Sequence, residues 1–425
     1  MSHFRSNMRD LEFNLFEVHR MGDYLPAMGM DLETAKDVLR EVDRLATGVW
    51  ADSFVEVDRI PLRLEDGKVR LPDSLKASLR AFRDGGWDRF GLPERMGGMA
   101  VPHLLFWATQ ELLLGGNPTA TFYGGGALFA RVIFEEGTPA QRELAHMMMD
   151  QGWAGTMVLT EPDAGSDVGA GITRAHQVEG DTYHLEGVKR FITGGEHDAA
   201  ENIIHLVLAR PDGAGPGTKG LSLFIVPKFL INHDGSLGER NGIVATRIEH
   251  KLGLRGSTTC ELTLGETRPA VGYLVGGVHD GIRQMFKVIQ HARMMIGTKS
   301  AATLSTGYLN ALDYARSRVQ GADLTEAADK QARRVAIIRH PDVRRLLMLQ
   351  KSHAEGLRAL WTYAAWTRDQ ADLTGEEHWA RRADFLLPVV KGYSSEKAFE
   401  LLAQSLQVLG GSGYTEDYPI EQYLR

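Results

Sequence analysis

A single cysteine, Cys260, in 425 residues leaves nothing for an internal disulfide or a cysteine-based zinc cluster. No apolar run approaches the ~18–20 residues that a membrane-spanning helix needs. Met1-Ser2-His3-Phe4-Arg5-Ser6-Asn7-Met8-Arg9-Asp10 holds no apolar signal core. These absences set the expectation of a soluble, cytoplasmic protein without a membrane span. There is no excess of positive charge either: the formal net charge is -7, which argues against a nucleic-acid partner. Familiar nucleotide and hydrolase signatures are missing too. No Gly-x-Gly-x-x-Gly opens a strand-to-helix turn, no Gly-x-Ser-x-Gly elbow occurs, and no His-Glu-x-x-His occurs. The 15 histidines are scattered, so no metal site is expected. Gly213-Ala214-Gly215-Pro216-Gly217-Thr218-Lys219 resembles a phosphate loop in composition alone. Its spacing is wrong and a strand follows it, so it reads as a solvated hairpin loop. Arg333, Arg334, Arg339, Arg344 and Arg345 read as a solvated helix face.

What is present divides the chain into three parts, helix-rich, strand-rich and helix-rich again. Residues 31–50 place Leu32, Ala35, Val38, Leu39, Val42, Leu45, Ala46 and Val49 on one helical face, with Asp31 as the N-cap. Pro72-Asp73 opens another helix and Gly85-Gly86 closes it. Thr138-Pro139-Ala140-Gln141 is a capping-box pattern. From Gly155 the period shortens. Runs at 156–160, 183–193, 203–209, 221–226, 243–250 and 260–264, with no helical stretch between them, predict an antiparallel barrel or sandwich. Beyond Val275 the spacing predicts long helices over 282–319, 341–372 and 377–409. The first carries Gly297, Ser300, Ala301, Ala302, Ser305 and Gly307, small residues that let a neighbouring helix approach closely. The fold class is therefore α+β, with a helical domain at 1–152, a β-domain at 153–275 and a helical bundle at 276–425.

Two segments carry chemistry. Leu159-Thr160-Glu161-Pro162-Asp163-Ala164-Gly165-Ser166-Asp167 follows an expected strand, and its small residues leave backbone N–H groups open to a phosphate. A plain surface turn satisfies the same pattern. Lys189-Arg190-Phe191-Ile192-Thr193-Gly194-Gly195 sets an aromatic ring and a hydroxyl two residues apart, on one face of an expected strand. That arrangement suits a planar ring with one hydrogen bond, and equally a core Phe beside a turn Thr.

Together with His250-Lys251-Leu252-Gly253-Leu254-Arg255-Gly256-Ser257-Thr258-Thr259 and Gln407-Val408-Leu409-Gly410-Gly411-Ser412-Gly413-Tyr414, these segments resemble the acyl-CoA dehydrogenase family, in the right order over about residues 70–425. The opening segment is similar to that of a large bacterial subgroup with a further C-terminal domain. The resemblance implies FAD between the β-domain and the bundle, and α,β-dehydrogenation of an acyl-CoA thioester. Electrons would pass to an electron-transferring flavoprotein, and the assembly would be a homodimer or homotetramer. A flavin-dependent acyl-CoA oxidase and a non-catalytic acyl-CoA or flavin binder are the alternative readings.

By the same resemblance, Thr160 and Thr193 would hydrogen-bond the flavin ring, Phe191 would pack beside it, and the backbone at Met157 and Leu159 would line its edge. Gly165 and Ser166 would contact the pyrophosphate, with Ser166 also near the acyl-CoA. Arg293 would lie near the pantetheine, and Arg318 would reach the FAD of a neighbouring subunit. Gln407 and Gly411 would hold the adenosine half. The family's Phe after the Arg318 position is absent from Arg318-Val319-Gln320-Gly321-Ala322. The resemblance assigns no catalytic base: its usual glutamate would follow Arg425, and the other position the family uses is Ala292 here. The expectation is a chain that ends before that group.

Overall fold

The computed structural model describes residues 2–425. They form two compact units. One comprises residues 2–55, 101–118 and 292–425, and the other residues 56–100 and 119–291. The helix Gly281–Ser317 supplies residues to each.

The first unit is helical. Leu32–Leu45 starts where expected, with the Asp31 carboxylate accepting the Thr34 N–H at 2.7 Å. It does not run as an α-helix to residue 50. From Ala46 to Trp50 the turns widen, and Gly48 leaves helical geometry (φ -99°, ψ -123°). Trp50 is buried there and donates its indole N–H to the Leu113 carbonyl at 2.9 Å. Pro341–Thr374 and Glu377–Val408 are joined at Gly375 (φ 70°), a conformation glycine takes without strain. The small-residue face of Gly281–Ser317 receives Glu377–Val408. A Cβ on Gly297 would lie 2.3 Å from Val390 Cγ1, and one on Gly307 would lie 2.6 Å from Leu402 Cδ2. That helix stops at Ser317, short of the expected 319. Val319–Ala322 then pairs with Arg334–Ala336, and the Arg318 carbonyl accepts the Ile337 N–H at 2.8 Å.

The second unit is built on eight strands: β1 Ala154–Val158, β2 Arg174–Glu179, β3 Thr182–Thr193, β4 Ile203–Pro211, β5 Ser222–Pro227, β6 Ile243–Ile248, β7 Thr259–Leu264 and β8 Ala270–Leu274. The first half of β3 pairs with β8, β8 with β5, β5 with β4, β4 with β2, and β2 with β3 again. The ring is closed, which leaves those five strands without an open edge at that level. The second half of β3 pairs with β7, and β7 with β6. Two pairings, β1 with β4 and β2 with β4, are parallel, where the sequence predicted antiparallel strands throughout. Parallel neighbours come from distant segments, and no hairpin turn announces them.

Inside the ring, Tyr183 and Phe224 meet edge to face at 5.0 Å among Ala175, Leu185, Val207 and Val226. Outside it, Ile204, Leu206, Leu208, Leu223 and Ile225 pack with Ala130, Ile133, Ala145 and Met148 of the helices Gly126–Glu136 and Pro139–Gln151. Strand β4 is thus buried on both faces, which explains its unbroken apolar run. The Thr138–Gln141 capping box is formed, and the Gln141 amide also donates to the Leu274 carbonyl at 2.8 Å. The 213–219 segment connects the antiparallel pair β4 and β5, as a hairpin loop should.

Candidate flavin site

Strand β1 ends at Val158, so Leu159 and Thr160 lie beyond the ladder rather than in the expected strand 156–160. Their carbonyls are taken by the neighbouring strand: Leu159 O accepts from Lys189 Nζ at 2.9 Å, and Thr160 O from the Arg190 N–H at 2.8 Å. Glu161 and Ala164 exchange backbone hydrogen bonds around Pro162-Asp163, closing a tight turn. Gly165 and Ser166 follow, exposed and, among the described residues, without a hydrogen-bond partner. A Cβ at Gly165 would meet nothing within 4 Å.

Beneath the turn sits a buried ion pair. Lys189 Nζ is 2.8 Å from Glu161 Oε1, and the carboxylate also accepts the N–H groups of Ile172 (2.6 Å) and Thr173 (3.1 Å). Burial acts to raise the Glu161 pKa, but the Lys189 charge and these hydrogen bonds overcome it and lower it. Burial lowers that of Lys189, with Glu161 opposing.

Immediately after Lys189 the strand bulges. Lys189 pairs with Leu262 and Ile192 with Cys260, so Arg190 and Phe191 together oppose Glu261. Phe191 takes φ 60°, rare for a bulky residue, and remains 56% exposed. The bulge reverses the strand's inward parity: Tyr183, Leu185 and Lys189 are buried before it, and Ile192 after it. Phe191 and Thr193 are therefore both exposed, but through the bulge and not through the simple alternation read from the sequence. Arg190 stacks over the Phe191 ring at 4.9 Å and donates to Glu249 at 3.0 Å. The Gly194 N–H donates to the Thr258 carbonyl at 2.8 Å. The Thr258 N–H in turn donates to the Tyr123 hydroxyl at 2.8 Å, which donates to the Gly256 carbonyl at 3.0 Å. Lys251 Nζ donates to Ser257 O at 2.7 Å, and burial brings its pKa down to about 8.

The structure therefore brings the 159–166 turn against the β3 bulge. Met157, half-buried in β1, pairs with Leu206. An exposed aromatic face, the hydroxyls of Thr160, Thr193 and Ser166, and an uncrowded turn suit a planar heterocycle with a phosphate tail, so these residues fit FAD. Arg293, Arg318, Gln407 and Gly411 belong to the helical unit. Arg293 is half-buried on Gly281–Ser317. Arg318, exposed, donates to Gln320 Oε1 at 3.1 Å. Gln407 lies in the last turn of Glu377–Val408 and accepts from the Tyr414 hydroxyl at 3.2 Å. Gly411 lies in the 3-10 turn Gly410–Tyr414, with nothing within 4 Å of a Cβ. The sequence reading gave no role to Glu161, Lys189 or Tyr123. The spacing of the first two, a Glu in the turn and a Lys two residues before Phe191, was the available signal.

Residues 156–267 match the family model "Acyl-CoA dehydrogenase, middle domain", and residues 279–425 match "Acyl-CoA dehydrogenase, C-terminal domain". The broad-specificity linear acyl-CoA dehydrogenase FadE5 of Mycobacterium tuberculosis is 55% identical over 438 aligned residues, covering 100% of this chain and 72% of that protein. The 3-methylmercaptopropionyl-CoA dehydrogenase of Ruegeria pomeroyi is 37% identical, covering 93% of this chain and 67% of the relative. Butyryl-CoA dehydrogenase from Megasphaera elsdenii shares the fold, with a TM-score of 0.70 at 22% identity and 93% of each chain covered. The chain belongs to the acyl-CoA dehydrogenase family.

Proposed function

We propose that this chain binds FAD along the 159–166 turn and the β3 bulge, and oxidises linear acyl-CoA thioesters to their α,β-unsaturated forms. The observation that carries the reading is the pairing of that turn with an exposed Phe191 and Thr193 at one end of the β-unit. When bound, FAD would supply the acceptor for the hydride leaving the substrate β-carbon, while a carboxylate base would take the α-proton, a role the resemblance gives to no residue among 1–425. The chain's own part is to bind and orient. Thr160 and Thr193 offer hydroxyls to the ring edge, Phe191 covers a ring face, and Gly165 and Ser166 present amides to phosphate. Arg293, as in the resemblance, would hold the pantetheine, and Gln407 and Gly411 the adenosine half.

Arg318 is exposed just past its helix, a placement suited to charge-assisted contact with a pyrophosphate in a second subunit of a homo-oligomer. An electron-transferring flavoprotein is the proposed electron acceptor, and the cytoplasm the proposed location. Among the described residues no helix is long and apolar enough to cross a membrane. The division at about residues 152 and 275 belongs to the same proposal, supported by the matched spans 156–267 and 279–425.

The test is FAD titration of wild type against Thr160→Ala/Thr193→Ala. Losing two ring hydrogen bonds should cost about 1–3 kcal/mol, roughly a ten- to hundred-fold weaker affinity. Unchanged affinity would remove these two hydroxyls from the site.

A further inference from the structure

Lys189 and Glu161 do more than neutralise each other. Between them they hold three backbone groups: Lys189 Nζ donates to the Leu159 carbonyl, and Glu161 accepts from the Ile172 and Thr173 N–H groups; the N–H of Arg190, next along β3, fixes a fourth, the Thr160 carbonyl. Thr160 is thus pinned on both sides, at Leu159 and at Glu161. The same lysine is the last in-register residue before the bulge that exposes Phe191. Both partners are nearly inaccessible, Lys189 at 1% and Glu161 at 5%, so water has little access to the ion pair itself. Space around the carboxylate is also tight: a Cβ on Gly171 would come within 3.0 Å of Glu161 Oε1.

We propose that Lys189 and Glu161 are positioning residues for the flavin: their pairing sets the register between the 159–166 turn and the β3 bulge, and so fixes the ring-facing groups of Thr160, Phe191 and Thr193 relative to one another. The proposal rests on the FAD reading above. Both side chains are buried and so are not presented to a ligand at the surface. The pair acts by holding main-chain groups, so an uncharged pair of similar size would fill the space without holding them.

That difference is the test. Lys189→Met, Glu161→Gln and the double Lys189→Met/Glu161→Met are compared with wild type by thermal melting, FAD titration and the visible spectrum of bound FAD. Hydrogen exchange of the FAD-free chain is followed as well. Lys189→Met leaves a buried carboxylate without its cation and should melt lower, whereas the double variant removes both charges and should recover most of the melting temperature. The expected result is that FAD affinity stays at least about tenfold weaker in the double variant, with the flavin band moved toward that of free FAD. Exchange should be faster across 159–173 and 189–193, while β4 and β5 stay protected. If FAD affinity, spectrum and exchange recover together with melting temperature, the pair is only structural and the proposal is overturned. If the methionine variants do not fold, Glu161→Gln decides, and a folded variant with wild-type affinity, spectrum and exchange also overturns it. A wild-type chain that binds no FAD refutes the flavin reading instead, whatever the exchange data show.

Discussion

Both units bury cations against glutamate, and two of these arrangements, Arg358 with Glu111 and Lys189 with Glu161, differ in what else they hold. In the helical unit Arg358, 1% exposed, forks onto Glu111, with Nε–Oε1 at 2.9 Å, and also pairs with Asp10 and Ser305. Trp361 Nε1 donates to the same Glu111 at 3.0 Å. All of these partners are side chains on the regular helices Met8–Glu12, His103–Gly116, Gly281–Ser317 and Pro341–Thr374. In the β-unit Lys189 and Glu161 bind main-chain groups of irregular segments instead. A side-chain cluster ties together elements that would have their shape anyway. A side-chain-to-backbone cluster decides the path of chain that has no ladder of its own.

The largest effect expected from this comparison falls on Arg358. Burial alone would lower its pKa, and Glu111 with Asp10 outweighs that and raises it. Arg358→Met leaves two carboxylates facing an apolar side chain, and should cost about 3–5 kcal/mol of unfolding free energy. Urea denaturation measures it. FAD affinity per folded molecule should not change. If it falls as far as in Lys189→Met, the contrast between the two clusters fails.

A smaller effect, of opposite balance in the two units, is expected on acidification. In the β-unit burial lowers His197 to about 3 and takes His205 well below its usual range. In the helical unit burial lowers His3 and His19 to about 4, but raises Asp369 to about 6. The signs follow from linkage. A depressed histidine lends stability that is present above its unfolded pKa of about 6.5 and is lost as pH falls toward the folded value. Asp369, raised, runs the other way: its contribution is present below about 3.9 and lost as pH rises toward 6. Between pH 6.5 and 5 the β-unit should therefore lose more, with His197 alone contributing about 1–2 kcal/mol. Exchange protection of β4 against that of Pro341–Thr374, followed over this range, reads the difference. His197→Gln should flatten the β-unit's profile, and equal losses in both units would contradict the assignment.

Much of this was legible where the cause is local. Asp31, the Thr138 capping box, the small-residue face of Gly281–Ser317 and the β-branched strands are set by neighbours three or four residues away, or by a uniform environment. What depends on distant partners was not legible. Strand β2, Arg174–Glu179, buries only Ala175 and reads as a polar loop, while β8 contains Gly272. Both become strands by closing the ring. The flavin-site segments were visible as motifs, yet the bulge that exposes Phe191 and Thr193 arises from register against β7. The Lys189–Glu161 pair spans 28 residues, and only the folded ring brings it together.

The smallest expected effect concerns two helix caps, one in each unit. Asp31 caps Leu32–Leu45 through one exposed, charged bond, and the Thr34 N–H holds its pKa below the usual carboxylate range. Thr138 caps Pro139–Gln151 through a neutral hydroxyl, in a box whose other half, Gln141, also donates to Leu274 O. Thr138→Ala should cost about 1 kcal/mol, because the N–H of Gln141 loses its acceptor. That cost should be indifferent to salt, since neither partner carries charge. Asp31→Ala should cost less in high salt than in low, because screening weakens the attraction between a surface carboxylate and a helix N-terminus. It should also vanish as pH falls through the lowered carboxylate pKa, where the wild-type side chain becomes protonated. Melting temperatures of the two variants, in low salt and in molar salt, separate the cases. A salt-dependent Thr138→Ala, or a salt-independent Asp31→Ala, would mean that something other than the cap bonds sets these helix starts.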